Sequence, residues 1–263
     1  MRSEKTNLTR TVTEKNATQV ANIRKTLVTQ ITNGTLPPGS KLPSERELSG
    51  MFSTSRITLK QGLLRLEAEG CIYRENRRGW FVTPPRLEYN PTTKSFFHQM
   101  VGSQGRQATT RVISTSSELI NPELGQKMEL PPLSKLHRIC RLRYVDGRAV
   151  MFVEHYLKPD IFPDILKLDL TQSLTSIYQN HYGIHCGRAT FDIFPTAAYG
   201  SVAHHLNVAE GSPLLMIIRI NYDQNGRLLD CDREFWRHDA VRISVDSQIL
   251  SSDKTADLLA PVG

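Results

Sequence analysis

Three groups of residues in this chain have types and spacings that could do chemistry. Between residues 46 and 79 lie Arg46, Ser55, Arg56, Thr58, Lys60, Arg77, Arg78 and Gly79. An arginine fork matches guanine O6 and N7, short hydroxyls suit phosphates or base edges, and Arg46 and Lys60 can neutralise backbone phosphates. The bland alternative for those two cations is ordinary surface charge. Farther along, Arg141 and Arg143 alternate within a β-rich stretch. Alternate strand positions share a face, so both can converge on one anion; the competing reading is a solvated sheet face. The third group is His181-x3-His185-Cys186, with His155, His204 and His205 elsewhere. That spacing suits zinc on one helical face, but Gly183 interrupts the helix and no second ligand pair has zinc-like spacing, so no metal site is expected. Nucleophilic catalysis needs a nucleophile held by a base and an orienter. Neither a G-x-S-x-G elbow nor a phosphate-cradling glycine loop occurs, so no catalytic residue and no cofactor is expected.

The first group needs elements to position it. Val20, Ile23, Leu27 and Ile31 recur at three- and four-residue steps, which predicts a helix from Thr18 to Asn33-Gly34. Ser44 and Glu47 form a capping box at the start of a second helix. After the break at Ser53-Thr54-Ser55, Leu59, Leu63 and Leu66 mark one face of a third helix, closed by Gly70. Two helices joined by a short turn match the helix-turn-helix plan, in which the second helix enters the major groove. Gly62 allows that helix to pack closely. Ile72-Tyr73-Arg74 and Gly79-Trp80-Phe81-Val82 read as a two-stranded wing with Arg77 and Arg78 at its tip, placed for phosphates or a narrow minor groove. Trp80 and Phe81 are read as core or hairpin anchors.

Charge supports the same division. Residues 1–87 hold fifteen Lys/Arg and seven Asp/Glu, a net +8, against +7 for the whole 263-residue chain, so the remainder is nearly neutral. A basic segment of this kind points to a polyanion partner for the first third alone. No apolar run approaches the roughly 20 residues a bilayer needs, and Met1–Gln30 lacks a signal-peptide core, so no membrane partner and a cytoplasmic location are expected. Cys71, Cys140, Cys186 and Cys231 are scattered and read as buried thiols.

Residues 1–17 read as a flexible arm, 18–83 as the DNA-binding domain, 84–94 as a proline-rich linker, 95–248 as a second domain and 249–263 as a flexible tail. In the second domain, His137–Val145 and Arg148–Leu157 flank the hairpin turn Asp146-Gly147. Asn121-Pro122 starts a short helix. Leu174–Tyr182 and Ala197–Leu206 read as helices; Ala189–Phe194, Leu214–Tyr222 and Leu228–Arg237 read as strands. Hairpins with helices between them predict an α+β domain on a largely antiparallel sheet.

The phrase G-x-L-x-P-G-x-K-L-P-S-E-R-E-L from Gly34, then S-R-x-T at Ser55–Thr58 and G-W-F-V at Gly79–Val82, resembles the GntR family of bacterial transcription regulators. By motif position the resemblance implies DNA contacts at Arg46, Ser55, Arg56, Thr58, Lys60 and Gly79. The family wing usually reads G-x-G-[TY]-F-V; here Arg77 stands at the first glycine and Trp80 at the threonine or tyrosine. Arg141-Leu142-Arg143-Tyr144 before Asp146-Gly147-Arg148-Ala149-Val150, Asp169-Leu170 with Ser173-Leu174, Tyr182-Gly183, and Leu206-Asn207-Val208 with Gly211-Ser212-Pro213 resemble the UTRA domain of the HutC subfamily. That resemblance implies a chorismate-lyase-like fold used for binding without catalysis.

It also implies an anion site of Arg141, Arg143 and Ser173, with the family's threonine position at His98 or a neighbour. Its acidic pocket residues map to Glu154 and Asp230, and its late aromatic to Trp236. Relatives that bind amino-sugar phosphates more often have glutamate and tyrosine at the last two, so a differently shaped ligand is expected. For Glu154 and Asp230 the alternative is pairing with Arg233 or Arg237. The expected protein is a homodimeric repressor, released from a palindromic operator by a small anionic metabolite. That metabolite carries a phosphate, phosphonate or carboxylate, as in an aminoalkylphosphonate or another zwitterion. An activator of the same architecture and an enzyme domain on a DNA-binding head are the alternatives.

Overall fold

The computed structural model describes residues 2–75, 77–93 and 96–246, with side chains from residue 16 onward. Helix α1 (Arg2–Thr32) lays Val20, Ile23 and Leu27 against α2 (Glu45–Met51) and α3 (Arg56–Ala68). The backbone is helical from Arg2, so the arm expected over residues 1–17 is continuous with the first helix rather than separate from it. Ser44 caps α2 and its partner Glu47 returns the bond to the Ser44 backbone amide at 2.8 Å, as the capping box requires. At Gly62 a Cβ would lie 2.9 Å from Ile23 Cγ2, so the closeness of α3 to α1 depends on that glycine.

The wing pairs β1 (Ile72–Glu75) with β2 (Gly79–Val82) in an antiparallel register, Ile72 opposite Val82 and Glu75 opposite Gly79. Arg77 adopts a left-handed backbone (φ 61) at the turn, a conformation that favours glycine. Trp80 is buried in the head core and donates its indole N–H to Glu45 Oε1 at 2.9 Å.

The C-terminal domain is a six-stranded antiparallel sheet in the order β4-β5-β6-β9-β8-β7. Its strands are β4 (Ala108–Leu119), β5 (Lys135–Val145), β6 (Arg148–Leu157), β7 (Cys186–Ala197), β8 (Pro213–Asp223) and β9 (Leu228–Arg237). Asp146-Gly147 is the tight turn between β5 and β6, both residues at positive φ. The helices α4 (Phe97–Ser103) and α6 (Leu174–Tyr182) cover one face, and α5 (Pro122–Lys127) and α7 (Gly200–Leu206) pack with the other apolar clusters.

Two connections differ from expectation. The stretch 84–94 is not a simple linker: β3 (Leu87–Tyr89) pairs in parallel with β10 (Val241–Ile243), and Leu87 and Tyr89 are buried in the C-terminal core. The span between the wing and that anchor is therefore only residues 83–86. Residues 197–199, expected to open a helix, instead finish or follow β7; the helix starts at Gly200. The tail over 249–263 lies outside the described residues.

Candidate functional site

The head presents a groove bounded by α1, α2 and the start of α3. Arg46, Ser55, Arg56 and Thr58 line it together, as the helix-turn-helix plan requires. Arg46, Arg56 and Lys60 are exposed. Ser55 is the N-cap of α3 and receives the Thr58 backbone amide at 3.1 Å; the two hydroxyls are 2.9 Å apart. Thr58 is buried, so its hydroxyl serves the cap first. Ile57 was not singled out from the sequence, yet it stands 74 % exposed one residue after Arg56. At the wing tip Arg77 is exposed, whereas Arg78 bonds Glu75 and lies 5.2 Å over the Phe81 ring. Gly79 opens β2 at φ 103.

In the C-terminal domain one sheet face and the helices above it enclose a chamber of about 70 Å³. Strand alternation builds its floor. From β5 come Arg141 and Arg143; from β6, Met151, Val153 and His155; from β8, Arg219 and Asn221; from β9, Asp230, Asp232, Glu234 and Trp236. Register sets the rows: His155 opposite Asp232, Asp232 opposite Arg219, and Asp230 opposite Asn221. The N-terminus of α6 contributes Ser173, Leu174 and Thr175 to the wall, and α4 contributes Phe97 and Met100. A larger cavity of about 400 Å³ adjoins the chamber and shares Tyr89, Phe96, Thr175, Arg219 and Asn221 with it.

The two arginines of the R-L-R strand behave differently. Arg141 is 1 % exposed, and its guanidinium already serves the fold. It donates to His155 Nε2 at 3.0 and 2.8 Å, to the Leu170 carbonyl at 3.2 Å and to the Gln172 carbonyl at 2.8 Å. Arg143 is 6 % exposed, donates to Thr110 Oγ1 at 2.7 Å, and lies 5.0 Å over the Phe97 ring. Its Nε has no hydrogen-bond partner among the described residues. Burial drives both guanidinium pKa values down, that of Arg141 to about 10. Among the described residues neither arginine has a carboxylate as a hydrogen-bond partner.

The acidic side is equally organised. Burial lowers the His155 pKa to about 3, so the ring is neutral; it accepts from Arg141 and its Nδ1–H faces Asp232 Oδ1 at 2.5 Å. Burial would raise Asp232, but the His155 ring and the Arg219 guanidinium, 2.5 Å away, hold its carboxyl below the usual range. Asp230 receives Tyr178 Oη–H at 2.6 Å and Asn221 Nδ2–H at 2.5 Å. Burial, with Asp232 nearby, pushes its pKa up to about 7. Burial also raises Glu234, which accepts the Trp236 indole N–H at 2.9 Å.

Of the expected effector residues, Arg141, Arg143, Ser173, Asp230 and Trp236 meet at the chamber. Glu154 does not. It sits between Val153 and His155, so its side chain emerges on the opposite sheet face, where it pairs with Arg138, accepts Tyr156 Oη–H at 3.2 Å and lies 3.9 Å from Arg233. The alternative of pairing with arginine is the correct one for Glu154; Asp230 pairs with neither Arg233 nor Arg237. His98 is not in the wall either. Its Nε2 is 3.2 Å from Thr110 Oγ1, so the hydroxyl beside Arg143 comes from β4 and His98 stands behind it. His155, Tyr178, Arg219, Asp232 and Glu234 were missed, although the alternation Asp230-x-Asp232-x-Glu234-x-Trp236 is a readable signal. Among the described residues no cluster of His, Cys, Asp or Glu could hold a metal ion, and no helix is long and apolar enough to cross a membrane.

Comparison with known proteins agrees with this division. Residues 19–82 match the model of bacterial regulatory proteins, gntR family, and residues 103–242 match the UTRA domain. The HTH-type transcriptional regulator YihL of Escherichia coli (strain K12) is 31% identical over 88% of this chain and 98% of its own. The HTH-type transcriptional repressor NagR of Bacillus subtilis (strain 168) is 30% identical over 82% of this chain and 89% of its own. Among solved structures, PhnF from Mycobacterium smegmatis superposes with a TM-score of 0.60 at 20% identity, over 87% of this chain and 98% of its own, which is a likeness of fold.

Proposed function

Because the chain belongs to the gntR family of bacterial regulatory proteins and carries a UTRA domain behind its DNA-binding head, we propose that it is a cytoplasmic repressor released from its operator by a small anionic metabolite. The observation that carries the effector reading is Arg143, a buried guanidinium in the chamber wall with a spare N–H and no carboxylate partner. A buried cation of this kind is costly until an anion completes it. The inner chamber has room for a phosphate-, phosphonate- or carboxylate-sized head; the adjoining cavity has room for the rest of a larger molecule. The start of α6 adds backbone N–H groups beside Ser173, and helix N-termini favour anions. Asp230 and Glu234 stand opposite, which suits a ligand with an ammonium group as well.

In the head, Arg56 reads a guanine, Ile57 meets a thymine methyl, and Arg46, Lys60 and Arg77 hold phosphates. Two recognition helices are needed for a palindromic operator, so the C-terminal domain forms a homodimer. Effector binding favours a dimer geometry that no longer fits the half-site spacing. The NagR relative is named a repressor, which favours repression over activation; a reporter that falls on deletion of the gene would assign an activator instead.

The test is Arg143→Ala in the full chain. Losing one charge-assisted bond to a buried anion is worth about 1.5–3 kcal/mol, so effector affinity falls roughly ten- to a hundredfold. Mass spectrometry of small molecules retained by the purified wild-type protein identifies the anion. Fluorescence anisotropy on operator DNA then reads its effect. Arg143→Ala should bind operator like the wild type and resist release. Equal retention and equal release in both proteins would place the effector elsewhere.

A further inference from the structure

The two adjoining cavities differ in the chemistry of their walls. The inner chamber, about 70 Å³, is lined by Arg141, Arg143, Asp230, Asp232 and Glu234 among others, so it holds charge of both signs. The cavity beyond it, about 400 Å³, has a mostly apolar wall and no carboxylate among its described lining residues. Strand order builds that wall. β7 is the edge of the sheet beside β8, and Ala189 and Phe191 alternate along it, so their side chains take the same face. Register sets Ala189 opposite Asn221 and Phe191 opposite Arg219, and those two β8 residues also line the chamber. Tyr89 from β3 and Phe96, which caps α4, add two more rings, while Thr175 and Gln179 come from α6 one turn apart. Tyr89 in turn stacks on Trp236 of the chamber wall, 6.1 Å between ring centroids.

The guanidiniums in the outer wall, Arg188 and Arg219, do not call for a second anion. Arg219 pairs with Asp232 and lies 3.7 Å from Glu234, so its charge is met from inside the chamber. Arg188 is exposed and lies 4.0 Å over the Tyr222 ring, where it keeps its hydration. An ammonium group is not served there either, because a cation taken out of water needs a carboxylate or several acceptors. What this wall rewards is apolar surface removed from water.

We propose that the effector is a two-part molecule: a small anion seated at Arg143 in the chamber, joined to an uncharged, largely apolar tail lying in the adjoining cavity against Tyr89, Phe96, Ala189 and Phe191. This rests on the anion reading of the chamber and adds to it the chemical class of the rest of the ligand. The tail supplies discrimination. Specificity is a difference of affinities, and an anionic head by itself gives little against free inorganic phosphate. Burying a tail beside the head raises affinity for the whole molecule and leaves affinity for the bare anion low.

The probes are n-alkylphosphonates from methyl to octyl, with the matching n-alkanoates to cover a carboxylate head, titrated calorimetrically into the full chain. In the head series that binds, affinity should rise roughly three- to fourfold per added methylene until the cavity is filled. The same chain ending in an amino or carboxyl group should bind more weakly than the plain chain. Arg143→Ala should weaken every chain length by the same factor. Ala189→Phe, checked for folding by circular dichroism, should abolish the rise with length, because its ring takes the space of the tail. Independently of any variant, the terminal methyl of the bound chain should show nuclear Overhauser contacts to the rings of Tyr89, Phe96 or Phe191. Four outcomes would overturn the tail and leave the anion site standing: Arg143-dependent binding that is flat with chain length, a rise with length that survives in folded Ala189→Phe, a charged end that binds as well as a plain one, or a terminal methyl without those contacts. Absence of Arg143-dependent binding in both series would remove the anion site, and the tail with it.

Discussion

In the head, Arg46 and Arg56 stand in water along one open groove and Lys60 is exposed on the same helix as Arg56; in the C-terminal domain, Arg141 and Arg143 are buried under two helices. The same side chain is put to two uses. An exposed guanidinium keeps its hydration until a polyanion displaces counterions, so its contribution is strongly salt-dependent and reads sequence only where the fork meets a base edge. A buried guanidinium is already desolvated and must be held by fixed acceptors: a neutral histidine and two carbonyls for Arg141, a threonine hydroxyl for Arg143. On the proposed effector reading, burial makes it selective for a small complementary anion and insulates it from salt. Exposure suits a long partner approached from solution, and burial suits a small one that must be discriminated.

The largest expected effect tests that contrast at Arg141. Arg141→Ala removes the donor for the Leu170 and Gln172 carbonyls and for His155. It should lower the stability of the C-terminal domain by about 3 kcal/mol or more, read as a fall in thermal midpoint, beyond any loss of effector binding. A variant as stable as the wild type would mean that Arg141 is as free for a ligand as is proposed for Arg143. Next, Arg56→Ala should weaken operator binding by about 1–3 kcal/mol and relax specificity at one base pair per half-site. Lys60→Ala should weaken all sequences alike and lessen the slope of log affinity against log salt by about one per head. Anisotropy at two salt concentrations checks both; the absence of any change would displace the recognition helix.

The third test concerns pH. Burial, with the Asp232 carboxylate nearby, pushes the Asp230 carboxyl pKa well above the usual acid range, to about 7. The folded chain therefore holds a proton there that the unfolded chain gives up near pH 4. Its stabilising contribution is fully present below about pH 4 and is lost as pH rises to about 7. Asp230→Asn should flatten that decline and be the more stable protein at pH 8, as followed by urea denaturation across the range. An unchanged pH profile would show that Asp230 is ionised throughout.

Local chemistry was legible in the residues themselves. The Ser44–Glu47 capping box, the Asp146-Gly147 turn, the Asn121-Pro122 helix start, and the limits of α6 and β9 depend on neighbours within a few positions, where backbone preference and hydrogen bonding act. So was the sharing of one strand face by Arg141 and Arg143. Long-range pairing was not. β4 is an edge strand with largely exposed, polar side chains and little apolar rhythm, and β3 exists only because β10, far along the chain, lies beside it. Alternation along β6 separates Glu154 from Val153 and His155 but does not tell which face a helix will cover. That was decided when α4 and α6 settled over Arg141, His155 and Asp230, leaving Glu154 to the arginines on the other side. A face becomes a site when packing removes water from it, and packing is a property of the whole chain.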